Sequence, residues 1–312
     1  MASFEGKTDE KIKAKTDPKV KVRRFAGMRK YAKKVFRINQ DKVLLVLFQD
    51  HPGKFDDVES GVCAALSCVW MRTMMNESMH VWLLQQDDVE AGAPKLFLGR
   101  LTYKDMARYL TNADVVTIQR DYARSCGGEK ADDGDERKLS FWKETFKKSG
   151  LGLVSNAFPN RFAPNDFPDQ LASLVDETLL KEDCAGLGVG LYVGLRFSVS
   201  AFIGTNSFNS RPAHAVAFFR MGSRKDGPLF FMDPNCGAYR VVRANLREFL
   251  KAWADCYENP PIRIRRPGQS ETNNAPQPSS QPSPQSAPQD DGKVDSVWKP
   301  TYIDEYYVVK QA

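Results

Sequence analysis

The stretch SGVCAALSCVW, residues 60–70, sets two cysteines in an apolar run of helical character behind a Ser-Gly pair. Ser60 occupies the place of an N-cap, which predicts a helix over about 61–84, with Val62, Leu66, Val69, Trp70 and Thr73 recurring at helical spacing. Cys63 then falls at the third helical position, where backbone N–H groups lack intrahelical partners and the helix dipole favours an anion. A thiolate so placed is a nucleophile. Cysteine is also among the most buried residue types, so a packing thiol is the competing reading. That reading suits Cys68, one turn deeper among apolar neighbours, far better.

A nucleophilic thiol needs a base, and the chain has three histidines, at 51, 80 and 214. His51 lies in an HPG turn, and His80 falls near the end of the predicted helix, too far along it to reach Cys63. His214 opens the strand-like run AHAVAFF. The following apolar run, GPLFFMDPNCG, stops at Asp233 before Pro234, Asn235 and Gly237. A hairpin joining 214–221 to 228–233 would bring Asp233 near His214, where a carboxylate accepts the imidazole Nδ1–H and stabilises the imidazolium. Asp233 also suits an Asx turn before proline. Cysteine at a helix start, histidine at a strand start and aspartate at the end of the next strand form a specific order.

The other cysteines, 68, 126, 184, 236 and 256, show no CxxC pairing, so zinc ligation has little support and no metal or cofactor is expected. Six scattered cysteines in a chain of 312 residues suit a reduced compartment. No run of 18 apolar residues suggests a membrane span, and MASFEGKTDEKIKAK lacks the apolar region of a secretory signal peptide. Residues 1–37 carry thirteen Lys or Arg against four acids, while the whole chain has a net charge of +6. The basic charge therefore belongs to an arm, suited to solvent, to an anionic membrane or to an export factor, and no nucleic-acid partner is expected.

Four segments follow from composition: a partly disordered arm at 1–37, a catalytic domain at 38–258, a Pro/Ser/Gln-rich linker or insert at 259–293, and a strand at 294–312 able to rejoin the sheet. Within them, 23–37 reads as a basic amphipathic helix and 41–49 (DKVLLVLFQ) as a buried strand. Residues 102–124, 137–150, about 168–181 and 244–257 read as helices, with a polar loop at 125–136. From 187 onward, short β-branched and aromatic runs broken by Gly, Pro, Asn and Asp indicate an antiparallel meander. Helices first and a mostly antiparallel sheet second make an α+β protein.

The blocks SGVCAALSCVW, RPAHAVAFF and FFMDPNCGAY together resemble the YopT/AvrPphB/NopT-type cysteine proteases, bacterial effectors delivered by type III secretion. By motif order the resemblance spans about 55–255 and is specific at those three blocks. It implies a papain-like fold with Cys63 as nucleophile, His214 as general base and acid, and Asp233 as the orienting residue. It also implies a host protein substrate, of the Rho GTPase or kinase class in known members, some of which process themselves, and delivery into the host cytosol. The acidic stretch 129–136 and the basic arm are the features that could meet a polybasic substrate tail or an anionic leaflet. An acyltransferase or deamidase would use the same three residues, and a catalytically silent binding module would keep the fold alone. Papain-like enzymes usually carry an amide side chain shortly before the nucleophile; here Asp57 and Val58 stand there, and the nearest upstream amide is Gln49.

Overall fold

The structure, a computed structural model, describes residues 27–36, 40, 44, 61–75, 114–126, 132–158, 167–203, 206–210, 213–258 and 296–312. After a 3-10 turn at Met28–Lys30, the elements are β1 (Ala32–Phe36), α1 (Cys63–Met74), α2 (Asp114–Cys126), α3 (Asp132–Lys148), β2 (Leu151–Ala157) and α4 (Phe167–Leu179). Then come β3 (Gly188–Ile203), β4 (Asn206–Ser210), β5 (Ala213–Met221), β6 (Leu229–Asp233), β7 (Gly237–Val241), α5 (Leu246–Glu258) and β8 (Ser296–Gln311). The strands form one sheet in the order β1-β7-β6-β5-β3-β8-β2, with β4 on β3, and every pairing is antiparallel.

Helices cover both faces of this sheet. Ala215, Ala217 and Phe219 of β5 and Tyr192 of β3 share one core with α1, α2 and α3. Val216 and Phe218, with Leu191, Val193 and Leu195, share the other with α4 and α5. A strand buried on both faces has no need of a polar alternate, and this explains the unbroken apolar run of β5. Helix α1 is the innermost helix: ten of its twelve residues are buried, and its small side chains let it lie close on the sheet, where Ser67 Oγ donates to the Ala215 carbonyl at 3.2 Å.

Several expectations are corrected. The basic helix at 23–37 is instead the 3-10 turn followed by β1, which pairs with β7; Ala32 is buried and Lys33 is exposed, the alternation of an edge strand. Of the proposed strand at 41–49, only Leu44 is described, and it is buried and helical. The polar loop at 125–136 gives way to α3 from Asp132 onward. Strand β2, which fell in no predicted element, pairs with β8 at the far end of the chain. Residues 1–26, 76–113 and 259–295, which hold most of the arm, the rest of the first predicted helix and the linker, lie outside the described residues.

β3 and β8, sixteen residues each, run side by side between β5 and the edge strand β2. Glu305 of β8 faces Gly194 of β3, and its fully buried carboxylate accepts hydrogen bonds from Tyr122 of α2 (2.7 Å) and from Tyr307 (3.0 Å). Burial pushes the Glu305 carboxyl upward; the nearby Lys138 ammonium and the two tyrosines oppose that shift without cancelling it. A methyl group on Gly194 would stand 2.7 Å from Glu305 Cγ and 3.0 Å from its Oε1, so the glycine makes room for a carboxylate whose own position is pinned. Gly194→Ala is therefore expected to cost about 1–3 kcal/mol in urea unfolding; a change below about 0.5 kcal/mol would show that Glu305 moves aside freely.

Candidate active site

Gly61 has φ of +118°, a conformation that L side chains rarely adopt, and Val62 is the N-cap with no side-chain cap bond. The chain turns there, so α1 begins at Cys63 and the thiol is on the first helical residue, not the third. Ser60 lies outside the described residues. The first-turn N–H groups, which lack intrahelical partners, now begin at Cys63 itself. Cys63 is half-buried, whereas Cys68 is fully buried in the core, and burial pushes its thiol up to about 12.

His214 and Asp233 meet. Nε2–H of His214 donates to Asp233 Oδ1 at 3.0 Å; both side chains are buried, with exposures of 7% and 0%. The sequence-based expectation named Nδ1, and strand register explains the difference. Ala217 pairs with Met232, and continuing that register sets Asp233 opposite Val216, two residues beyond His214. Such diagonal neighbours are roughly 7–8 Å apart, so the ring reaches the carboxylate with its distal nitrogen. Nδ1 is thereby left unused by Asp233, and the Cys63 side chain lies close enough to the ring to help raise its pKa.

Asp233 is held by more than histidine. The N–H of Asn235 donates to Oδ1 at 2.8 Å, Trp253 Nε1 donates to Oδ2 at 2.7 Å, and the Tyr257 hydroxyl also donates to Oδ2. The Asx turn and the histidine partnership are both real and share one oxygen. Trp253 and Tyr257, one turn apart on the inner face of α5, were not singled out from the sequence; an aromatic pair at i, i+4 containing a ring N–H and a hydroxyl is the signal that could have found them. The loop after Asp233 is fastened in turn: Gln40 Nε2 donates to Asn235 Oδ1 at 2.6 Å, and the Gln40 N–H donates to the Pro234 carbonyl at 2.7 Å.

Burial works against both charges. For His214 it lowers the pKa, but the Asp233 charge, its hydrogen bond and the Cys63 side chain outweigh it and bring the ring up to about 10. For Asp233 burial raises the pKa, and the His214 charge with the His214, Tyr257 and Trp253 hydrogen bonds brings it below the ordinary value. The pair is therefore imidazolium and carboxylate at neutral pH.

The sequence-based amide candidates, with Asp57, Val58 and Gln49, lie outside the described residues. A different amide is present. Gln119 of α2, 7% exposed, turns its Oε1 to the N–H of Ala65 in the first turn of α1, at 3.2 Å. A polar residue on the same helical stripe as the buried Val115 and Val116 is the signal that marks it. Among the described residues, no group of three or more His, Cys, Asp or Glu side chains is arranged to hold a metal ion, and no helix is long and apolar enough to cross a membrane.

No family model matches the sequence, and no curated protein matches it. Among solved structures, the crystal structure of the Pseudomonas avirulence protein AvrPphB aligns with 63% of this chain and 82% of its own at 15% identity, with a TM-score of 0.36. That likeness is too loose to carry an activity across, and the chemistry is read from the side chains.

The ion pair gives a pH dependence. The raised His214 contributes stability that is complete below its ordinary 6.5 and is lost as pH climbs towards about 10. The lowered Asp233 contributes stability present above its ordinary value and lost as pH falls through the folded one. Asp233→Asn is therefore expected to lie furthest below the wild type in urea unfolding between about pH 4 and 6.5, by about 3–5 kcal/mol, with the gap narrowing towards pH 10. A gap independent of pH would contradict the pairing.

Proposed function

We propose that the chain is a cysteine-type hydrolase, and specifically a peptidase, in which Cys63, His214 and Asp233 act together. The observation that carries this reading is the buried His214–Asp233 ion pair, with a half-buried thiol at the first residue of a helix acting on the same ring. Helix start, cation and thiol together are the surroundings of an activated nucleophile.

In this mechanism the Cys63 sulfur adds to a carbonyl carbon while the C=O pair moves onto oxygen. Collapse re-forms the carbonyl and breaks the C–N bond, and the His214 imidazolium gives its Nδ1 proton to the departing amine. The neutral ring then takes a proton from water, which attacks the thioester and frees Cys63. Asp233 keeps its charge throughout, fixing the ring and balancing the imidazolium.

Hydrolysis fits better than a silent binding role because the pair is costly to bury. A buried ion pair is weak evidence for stability, since apolar replacements often do as well. The substrate we place among host-cell proteins, with export that does not use a Sec signal, following the resemblance of the three sequence blocks.

The test is competitive labelling with iodoacetamide at pH 6. Cys63 is expected to be alkylated at least about tenfold faster than the other five cysteines, and His214→Ala is expected to abolish that preference. Slow, equal labelling at all six cysteines would overturn the proposal. Product masses then name the reaction, as cleavage fragments for a peptidase, a gain of about 1 Da for a deamidase, or an added group for a transferase.

A further inference from the structure

Arg220, the last residue but one of β5, is fully buried between the apolar Phe219 and Met221. Strand alternation puts it on the face of Val216 and Phe218, the side covered by α4 and α5. A guanidinium keeps its charge in a protein, and a buried charge requires an anion or a full set of acceptors. Arg220 has neither. Nη1 donates to the Glu182 carbonyl at 2.7 Å and Nη2 to Cys184 Sγ at 2.7 Å, whereas Nε–H is buried without a partner. Among the described residues no carboxylate pairs with this cation.

Nε–H projects on the Nη2 side of the planar group, so the unused donor is the neighbour of the one on the sulfur. Those two donors make the fork that grips a pair of acceptor atoms, as in a carboxylate. Here one prong meets a sulfur and the other meets nothing. Cys184 is half-buried in the loop between α4 and β3, and its thiol also donates weakly to the Gly222 carbonyl at 3.6 Å. We propose that Cys184 is a site of oxidation by peroxide, in which the oxygen added to sulfur takes the free Nε–H of Arg220. The sulfur attacks one peroxide oxygen: the S–O bond forms, the O–O bond breaks, and the departing hydroxide leaves as water with the thiol proton. Sulfur gives up two electrons and the peroxide gains them. Ionisation of the sulfenic acid then supplies the buried cation with its anion. The site is separate from the candidate active site, because His214 and Arg220 stand about 20 Å apart along β5, and the chemistry involves neither His214 nor Cys63.

The full chain is exposed to a small excess of hydrogen peroxide, quenched with catalase and unfolded in dimedone, which traps sulfenic acids for mapping by peptide mass spectrometry. Cys184 is expected to be oxidised at least about tenfold faster than Cys126, although Cys126 is the more exposed thiol. Arg220→Met keeps an apolar stem and removes the fork, and it is expected to abolish that preference. A wild-type Cys184 oxidised no faster than Cys126, or a preference that survives Arg220→Met, would overturn the proposal. If the Arg220 variant fails to fold, Cys184→Asp takes its place, since an aspartate carries oxygens where the oxidised sulfur would. Its folding equilibrium constant in urea unfolding is expected to exceed that of Cys184→Ala at least about tenfold. An aspartate variant no more stable than the alanine variant would show that the fork does not receive the oxygen, and would overturn the proposal.

Discussion

The Asp233 carboxylate is buried out of reach of water, and four donors satisfy it: the His214 ring, the Asn235 main chain, the Trp253 indole and the Tyr257 hydroxyl. An unpaired buried charge is among the most expensive features a fold can contain, so each element supplying a donor must arrive in register. β5 brings histidine, the turn after β6 brings an N–H, and α5 brings two side chains one turn apart. The cation that answers this carboxylate is the ring that meets Cys63. The stability of one corner of the sheet and the ionisation state of the site are thus the same electrostatic arrangement.

The two-faced sheet explains how that corner meets the thiol. His214 and Asp233 are strand-end residues anchored by α5, which packs on one face, whereas Cys63 rides on α1, which packs on the other. Only at the strand ends can groups from the two layers touch. α1 lies low on β5 because its inner residues are small, and its start is fixed by the turn at Gly61. On its outer side α2 closes the arrangement, joined through Tyr122 and Glu305 to the C-terminal strand. The C-terminal strand therefore helps to hold the helix that packs on the first turn of α1.

Local pattern carried much of this. A helix start around Cys63, a strand opening at His214 and one ending at Asp233 are short-range features, and so were the helices near 137–150, 168–181 and 244–257. What stayed hidden depends on partners distant in the chain. Lys33 and Lys34 alternate as readily as they spiral, and only pairing with β7, some two hundred residues away, decides for β1. β2 likewise waits for β8. The ring nitrogen facing Asp233 follows from a two-residue offset between strands, and the Gln119 cap on the first turn of α1 from a helix crossing, neither of which a linear reading contains. The true helix start was misplaced because Ser60 looks like a cap, while the backbone at Gly61 is what ends the loop.

The most direct measurement of the central claim is an NMR titration of the His214 ring in the intact protein. The wild-type imidazolium is expected to persist through neutral pH and lose its proton only towards about 10. It should lose it earlier in Cys63→Ser and much earlier in Asp233→Asn. A wild-type ring that titrates near its ordinary 6.5, unmoved by either substitution, would contradict the account.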